Sequence, residues 1–123
     1  MSGPLTAQIT DRTVEFHFED RAIVVPLFGP KVEALPVLEL LGAEAKFSLA
    51  AGTYGVLYGD HVIQFAVGHK VMLIDGGLQE ANEAPVASPD GVAVSVSYLE
   101  RSLLSPLGFH LEPIGRGYRI VRG

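Results

Sequence analysis

Hydrophobic and polar residues alternate along much of the chain. The alternation is cleanest over residues 13–18, where Val14, Phe16 and Phe18 take one face and Glu15 and His17 the other. That period of two predicts a half-buried strand. Glu19-Asp20-Arg21 reads as a polar turn and Ala22-Ile23-Val24-Val25 as the returning strand, which Pro26 ends or confines to an edge. Gly29-Pro30 marks a loop. Further on, Tyr54–Tyr58 and His61–Val67 are joined by Gly59-Asp60, a two-residue hairpin signal. Ile63, Phe65 and Val67 share one face of the second strand, and Val62, Gln64 and Ala66 the other. Gly68-His69 turns into a strand over Lys70–Ile74, and Asp75-Gly76-Gly77 turns again. Residues 79–93 read as the longest loop, with a short strand within Val92–Val96.

Two segments depart from this period. A short helix is predicted over about residues 34–41, with Pro36 tolerated in its first turn and Gly42 supplying the left-handed C-terminal position. A second is predicted to start at Ser97-Tyr98-Leu99-Glu100, a capping box with Ser97 as N-cap and Glu100 at N3. Pro106 stops it soon after Leu104. Each helix ends in Leu-Gly, and each is followed by an alternating strand, a Gly/Tyr turn and another strand. The first copy is Val37–Gly42, Ala43–Phe47 and Gly52–Leu57; the second is Ser102–Gly108, Phe109–Glu112 and Gly115–Ile120. Seven to nine strands and two short helices are expected. Neither helix can bury its apolar stripe alone, so the fold class is α+β: a curved, mostly antiparallel meander with both helices packed on it and an internal two-fold repeat.

The chain has 123 residues, 48% of them hydrophobic and 19% charged. That is one domain with a core of its own, spanning 1–123, with residues 1–31 as an N-terminal hairpin of the same sheet. A net charge of −5 argues against general nucleic-acid affinity, which needs cations for the phosphates. The charge is uneven, since residues 101–123 hold Arg101, Arg116, Arg119 and Arg122 against Glu112 alone. Arg116, Arg119 and Arg122 are therefore candidate contacts to an anionic polymer. There is no cysteine, which excludes disulfides and thiolate metal sites. No apolar run reaches the ~18 residues that a membrane span needs. Met1-Ser2-Gly3-Pro4 has neither the basic nor the apolar region of a signal peptide, so any signal or neighbouring domain is expected outside this sequence.

No reactive constellation stands out. The histidines are His17, His61, His69 and His110, and no two have the spacing of paired metal ligands. His61 and His69 flank one strand, ~26 Å apart by strand rise. Glu15 and Glu19 would share a strand face ~13 Å apart, too far for paired acid–base work. Asp60 and Asp75 fall in turns, where aspartate serves the backbone. No serine lies in a nucleophile elbow, and Gly115-Arg116-Gly117 precedes a strand pattern rather than a phosphate-binding helix. Tyr54 and Tyr58, at i and i+4 of one strand face, are candidate stacking platforms for sugar rings or else core lining; the equivalent places of Tyr54 and Tyr118 in the repeat favour the structural role.

From about Val32 to Ile120 the chain resembles the N-terminal-like domain of copper amine oxidases. The resemblance rests on Leu40-Leu41-Gly42-Ala43, on the strand ending at Phe47 and the hairpin Tyr54–Phe65, on Val67–Gly77, on Ala84-Pro85-Val86 and on Leu107-Gly108, in that order. It implies a stalk or accessory module of secreted and cell-envelope bacterial proteins, often beside a peptidoglycan amidase. It implies no catalytic residue, metal or cofactor in this segment. The expected function is thus that of a non-catalytic spacer or interaction unit outside the cytoplasm, partnered by peptidoglycan, another envelope polymer or an envelope protein. The alternatives are a small metal-dependent hydrolase using the histidines and a homo-oligomer joined through edge strands.

Overall fold

The alternating segment at the start forms β1 (Thr13–Phe18), with Val14, Phe16 and Phe18 buried. The structure, a computed structural model, describes residues 13–89 and 91–123; the first twelve residues of the expected N-terminal hairpin lie outside them. β2 (Arg21–Phe28) returns antiparallel to β1 and β3 (Lys31–Glu33) follows, after a turn in which Gly29 takes a φ of 63°. Pro26 does not end β2, nor does β2 lie at an edge. Its residues 21–26 pair with β1, and Leu27 and Phe28 pair with β3 on the other side. Pro26 therefore sits where the strand changes neighbours, where a missing N–H removes little from either ladder.

Helix α1 (Ala34–Leu40) follows β3 directly. Pro36 is in its first turn, as expected. At the far end Gly42 takes a φ of 88°, and its N–H donates to the Glu39 carbonyl at 2.9 Å while the Ala43 N–H reaches back to the Leu38 carbonyl at 3.0 Å. These two bonds satisfy carbonyls that a helix end leaves open. The meander comes next: β4 (Glu44–Ser48), β5 (Thr53–Tyr58), β6 (His61–Phe65), β7 (Val71–Ile74) and β8 (Gly77–Glu80), paired in sequence order into a five-stranded antiparallel sheet.

Residues 79–93 are not the loop expected of them. They hold the end of β8, β9 (Val86–Ser88) and the first residues of β10 (Gly91–Val94). β8 is exposed throughout and β9 has three residues, so neither leaves a readable alternation. The second helical segment opens as α2 (Val96–Tyr98), widens into a π-helix over Leu99–Leu104 and closes as a 3-10 turn, Ser105–Leu107. Its N-cap is Ser95, not Ser97: the Ser95 Oγ accepts the Tyr98 N–H at 3.0 Å. Glu100 does not complete a capping box; its Oε2 accepts the Leu111 N–H at 2.8 Å. As expected, the segment does not continue far beyond Leu104: it passes into the 3-10 turn, where Pro106 sits early enough that its missing N–H is not needed. Gly108, with a φ of 93°, ends it.

β11 (Phe109–Ile114) and β12 (Gly117–Arg122) then pair as a hairpin. They complete a seven-stranded sheet in the order β11-β12-β1-β2-β3-β10-β9. Twelve strands among the described residues exceed the seven to nine expected, and they form two sheets rather than one. The class is α+β with two short helical segments, and the pairing is antiparallel except where β12 runs parallel to β1. That contact is close: a Cβ on Gly117 would fall on the Glu15 carbonyl oxygen. One core joins both sheets and both helices, from Phe16, Val25 and Ile120 through Val37 and Leu38 to Ile63, Phe65 and Leu103.

Candidate functional site

The inner face of the five-stranded sheet carries Val56, Ile63, Phe65 and Met72 into the core. Its outer face carries apolar residues as well, among polar ones. Leu57 lies opposite Val62, and Leu73 opposite Leu78, with the two pairs diagonal to one another across β5, β6, β7 and β8. Leu57 is 45% exposed, Val62 38%, Val71 50% and Leu78 75%. Single exposed apolar residues are ordinary; a contiguous stripe of them on one sheet face is the kind of surface that marks an interaction site. Glu44, opposite Leu57, and Lys46, Gln64 and Glu80 lie on the same face by register and border the stripe. The two edges of this sheet are β4 and β8. Sequence reasoning passed over the stripe, although its signal was present: Val56-Leu57, Val62-Ile63 and Met72-Leu73 put apolar residues on both faces of three strands.

A concavity of about 220 Å³ lies between the helical segment and the β7–β8 hairpin. Met72 and Ile74 come from β7, Gln79 and Glu80 from β8, and Ser97, Tyr98, Arg101 and Ser102 from the helical side. Tyr98 is 3% exposed, its ring meets Phe65 with centroids 6.4 Å apart, and its hydroxyl lies 3.7 Å from the Met72 sulfur. Burial pushes its phenol up to about 12. Glu83 at the rim accepts Lys31 Nζ at 3.0 Å and the Ser95 hydroxyl at 2.8 Å. The Lys31 hydrogen bond, then that of Ser95, holds its carboxyl below the usual glutamate range.

The histidines go to separate places. His17 Nε2 is 3.2 Å from Glu15 Oε1 on β1, and His110 Nε2 is 3.9 Å from Glu112 Oε2 on β11. His61 Nδ1 is 2.9 Å from Asp75 Oδ2, and the other oxygen of Asp75 accepts the Val62 N–H at 2.8 Å. The His61 contact, then the Val62 N–H, lowers the Asp75 carboxyl. His69 is exposed between β6 and β7. Among the described residues no three histidine, aspartate or glutamate side chains are placed to hold a metal ion. Glu19 does not share a strand face with Glu15; it sits in the β1–β2 turn with a φ of 57°.

Tyr54 and Tyr58 are both half-buried. Tyr54 packs between Phe47 and Phe65, with centroids at 4.9 and 5.5 Å. Tyr58 meets Phe109 edge-on at 5.5 Å, across the space between the sheets. The three arginines do not share one surface. Arg122 Nη2 is bound to Glu19 Oε2 at 2.9 Å, and its guanidinium lies 5.4 Å from the ring centres of both Phe18 and Phe109. Glu19, then the Tyr58 hydroxyl, raises its pKa further. Arg119 is exposed on the opposite face of β12, facing His17 and Glu112 in register, and Arg116 stands in the β11–β12 turn.

Comparison with known proteins adds no family here: no protein-family model matches the chain, and no curated protein matches it significantly. No helix among the described residues is long and apolar enough to cross a membrane.

Proposed function

We propose that this chain is a non-catalytic accessory module that meets a protein partner through the apolar stripe on the outer face of the five-stranded sheet. The observation that carries the reading is the solvent exposure of Leu57, Val62, Val71 and Leu78 on one continuous face. Each such residue forgoes burial, worth roughly 1.5–3 kcal/mol for a side chain of this size, so covering several together is a substantial driving force for association. The non-catalytic part of the reading is supported by the histidines, three of which engage a nearby carboxylate on three different strands or turns. We read the two helix–glycine–hairpin units as a duplicated architectural unit, in keeping with a module whose role is to hold a surface. The setting, an extracytoplasmic bacterial protein in which the module acts as spacer or wall-associated interaction unit beside a domain such as a peptidoglycan amidase, is supported by the resemblance of residues 32–120 to the copper amine oxidase N-terminal-like domain.

Retention of the purified domain on isolated bacterial envelope fractions, at low and at moderate salt, tests this. Retention that survives salt is the expected result. Retention lost with salt would instead favour Arg116 and Arg119 on an anionic wall polymer. No retention would leave the spacer role. Light scattering on the same preparation separates a partner protein from a second copy of this chain, the outcome that pairing through β4 or β8 would give.

A further inference from the structure

We infer that the cleft between the helical segment and the β7–β8 hairpin binds a small aliphatic carboxylate, held by Arg101. The helical wall turns one polar face to the cleft, since Ser97, Tyr98, Arg101 and Ser102 recur at the spacing of successive helical turns and all line it. Arg101 is exposed and, among the described residues, forms no ion pair. The nearby carboxylates do not compete for it. Glu83 is taken by Lys31 and Ser95. Glu80 pairs with Val71, so its side chain stands on the outer face of the sheet, opposite to Met72, Ile74 and Gln79. What remains in the cleft, among the described residues, is one free cation accompanied by groups able to donate: the hydroxyls of Ser97 and Ser102 and the amides of Gln79 and Asn82. A planar guanidinium matches a planar carboxylate with two parallel hydrogen bonds, and a single positive charge suits a monoanion better than a dianion.

The floor and the size narrow the class further. Met72, Ile74 and the ring of Tyr98 give an apolar base, suited to a short alkyl chain behind the carboxylate. A volume of about 220 Å³ is the space of roughly seven waters at ~30 Å³ each, below the range of drug-sized pockets. The Tyr98 hydroxyl is a buried donor whose side-chain partner is a thioether, a weak acceptor. A ligand carboxylate that reached it would offer a better one. The local backbone is also unusual: Arg101 and Ser102 belong to the π-helical stretch Leu99–Leu104, a rare conformation that recurs at functional sites. This inference uses residues other than the apolar stripe, so either can fail while the other stands.

The test is a nitrogen-15 amide NMR titration of the whole chain with butyrate, and with butyramide, butylammonium and inorganic phosphate as probes that change the charge. Saturable shifts at the amides of residues 79–83 and 97–102 with butyrate, and much weaker ones with the other three, are expected. N-acetyl-L-alanine presents the same carboxylate as a peptide end does. Binding tighter than that of butyrate would make the source a chain terminus, and weaker binding a free acid; either sustains the carboxylate. Arg101→Gln should weaken butyrate binding by roughly tenfold or more, the worth of a charge-assisted hydrogen bond. Arg116→Gln, which removes the same charge from the β11–β12 turn, should leave it unchanged. Both side chains are exposed, so amide shifts elsewhere should show both variants folded. The assignment is overturned by the absence of saturable shifts at these amides, by butyramide or phosphate binding as tightly as butyrate, or by an Arg101→Gln variant that binds as the native chain or the Arg116→Gln variant does.

Discussion

Gly117 shows how much of this fold rests on a single backbone position. The β1–β12 pairing is the only parallel one among the described residues, and it brings the Glu15 carbonyl to where a Cβ of residue 117 would stand. Gly117→Ala is expected to cost about 2–4 kcal/mol, read as a drop in the urea midpoint with little change in slope. Two other residues report through pH. Asp75 and Glu83 have lowered folded-state pKa values, so their contribution is present above the ordinary carboxylate range and lost as pH falls through and below it. Both are solvent-accessible and screened, so a shallow loss of thermal stability below about pH 4 is expected, smaller in Asp75→Asn. Tyr98 carries the opposite sign. Its folded pKa of about 12 lies above the ordinary 10.0, so its contribution is intact below pH 10 and disappears as pH rises through 12. In an absorbance titration of the four tyrosines the last phenol to ionise should vanish in Tyr98→Phe.

The elements were legible in the sequence where a period or a glycine announced them. Alternation gave β1, and Gly59-Asp60 gave the β5–β6 turn, with Tyr58 opposite His61. Gly42 ended α1 where the sequence put it. Legibility failed where a tertiary partner took over a side chain. Glu100 has the spacing of a capping box from Ser97, yet it reaches instead to the Leu111 N–H of β11, the outer strand of the seven-stranded sheet. There it covers part of an edge that would otherwise be open to pairing. With Glu100 so engaged, the helix starts two residues earlier on Ser95, whose hydroxyl also donates to Glu83. Ser95→Ala should therefore cost about 1 kcal/mol by thermal or urea unfolding, while Ser97→Ala, on an exposed residue without a capping bond, should stay within roughly 0.5 kcal/mol of the native chain. Equal effects of the two would contradict this assignment.

At the scale of the molecule, two sheets share one core, and Arg122 helps to hold them together. It binds Glu19 in the β1–β2 turn and stacks on Phe18 and Phe109, while Phe109 meets Tyr58 of the other sheet. Composition could flag Arg116, Arg119 and Arg122 as a basic end, but strand parity puts Arg122 and Arg119 on opposite faces of β12, with Arg122, itself exposed, tied to Glu19 and to the Phe18 and Phe109 rings. The candidate surface was hidden for a related reason. Apolar residues at adjacent positions read as a strand buried on both faces, and only the arrangement of the two sheets leaves Leu57, Val62, Val71 and Leu78 uncovered. That uncovered stripe is the central claim, and a Leu57→Lys, Leu78→Lys double variant tests it most directly, assayed beside the native chain and an Arg116→Gln, Arg119→Gln variant for salt-resistant retention on isolated envelope fractions. The expected result is that the leucine variant keeps its melting temperature and loses retention, while the arginine variant retains as the native chain does. A leucine variant that is retained undiminished, or an arginine variant that alone loses retention, would contradict it.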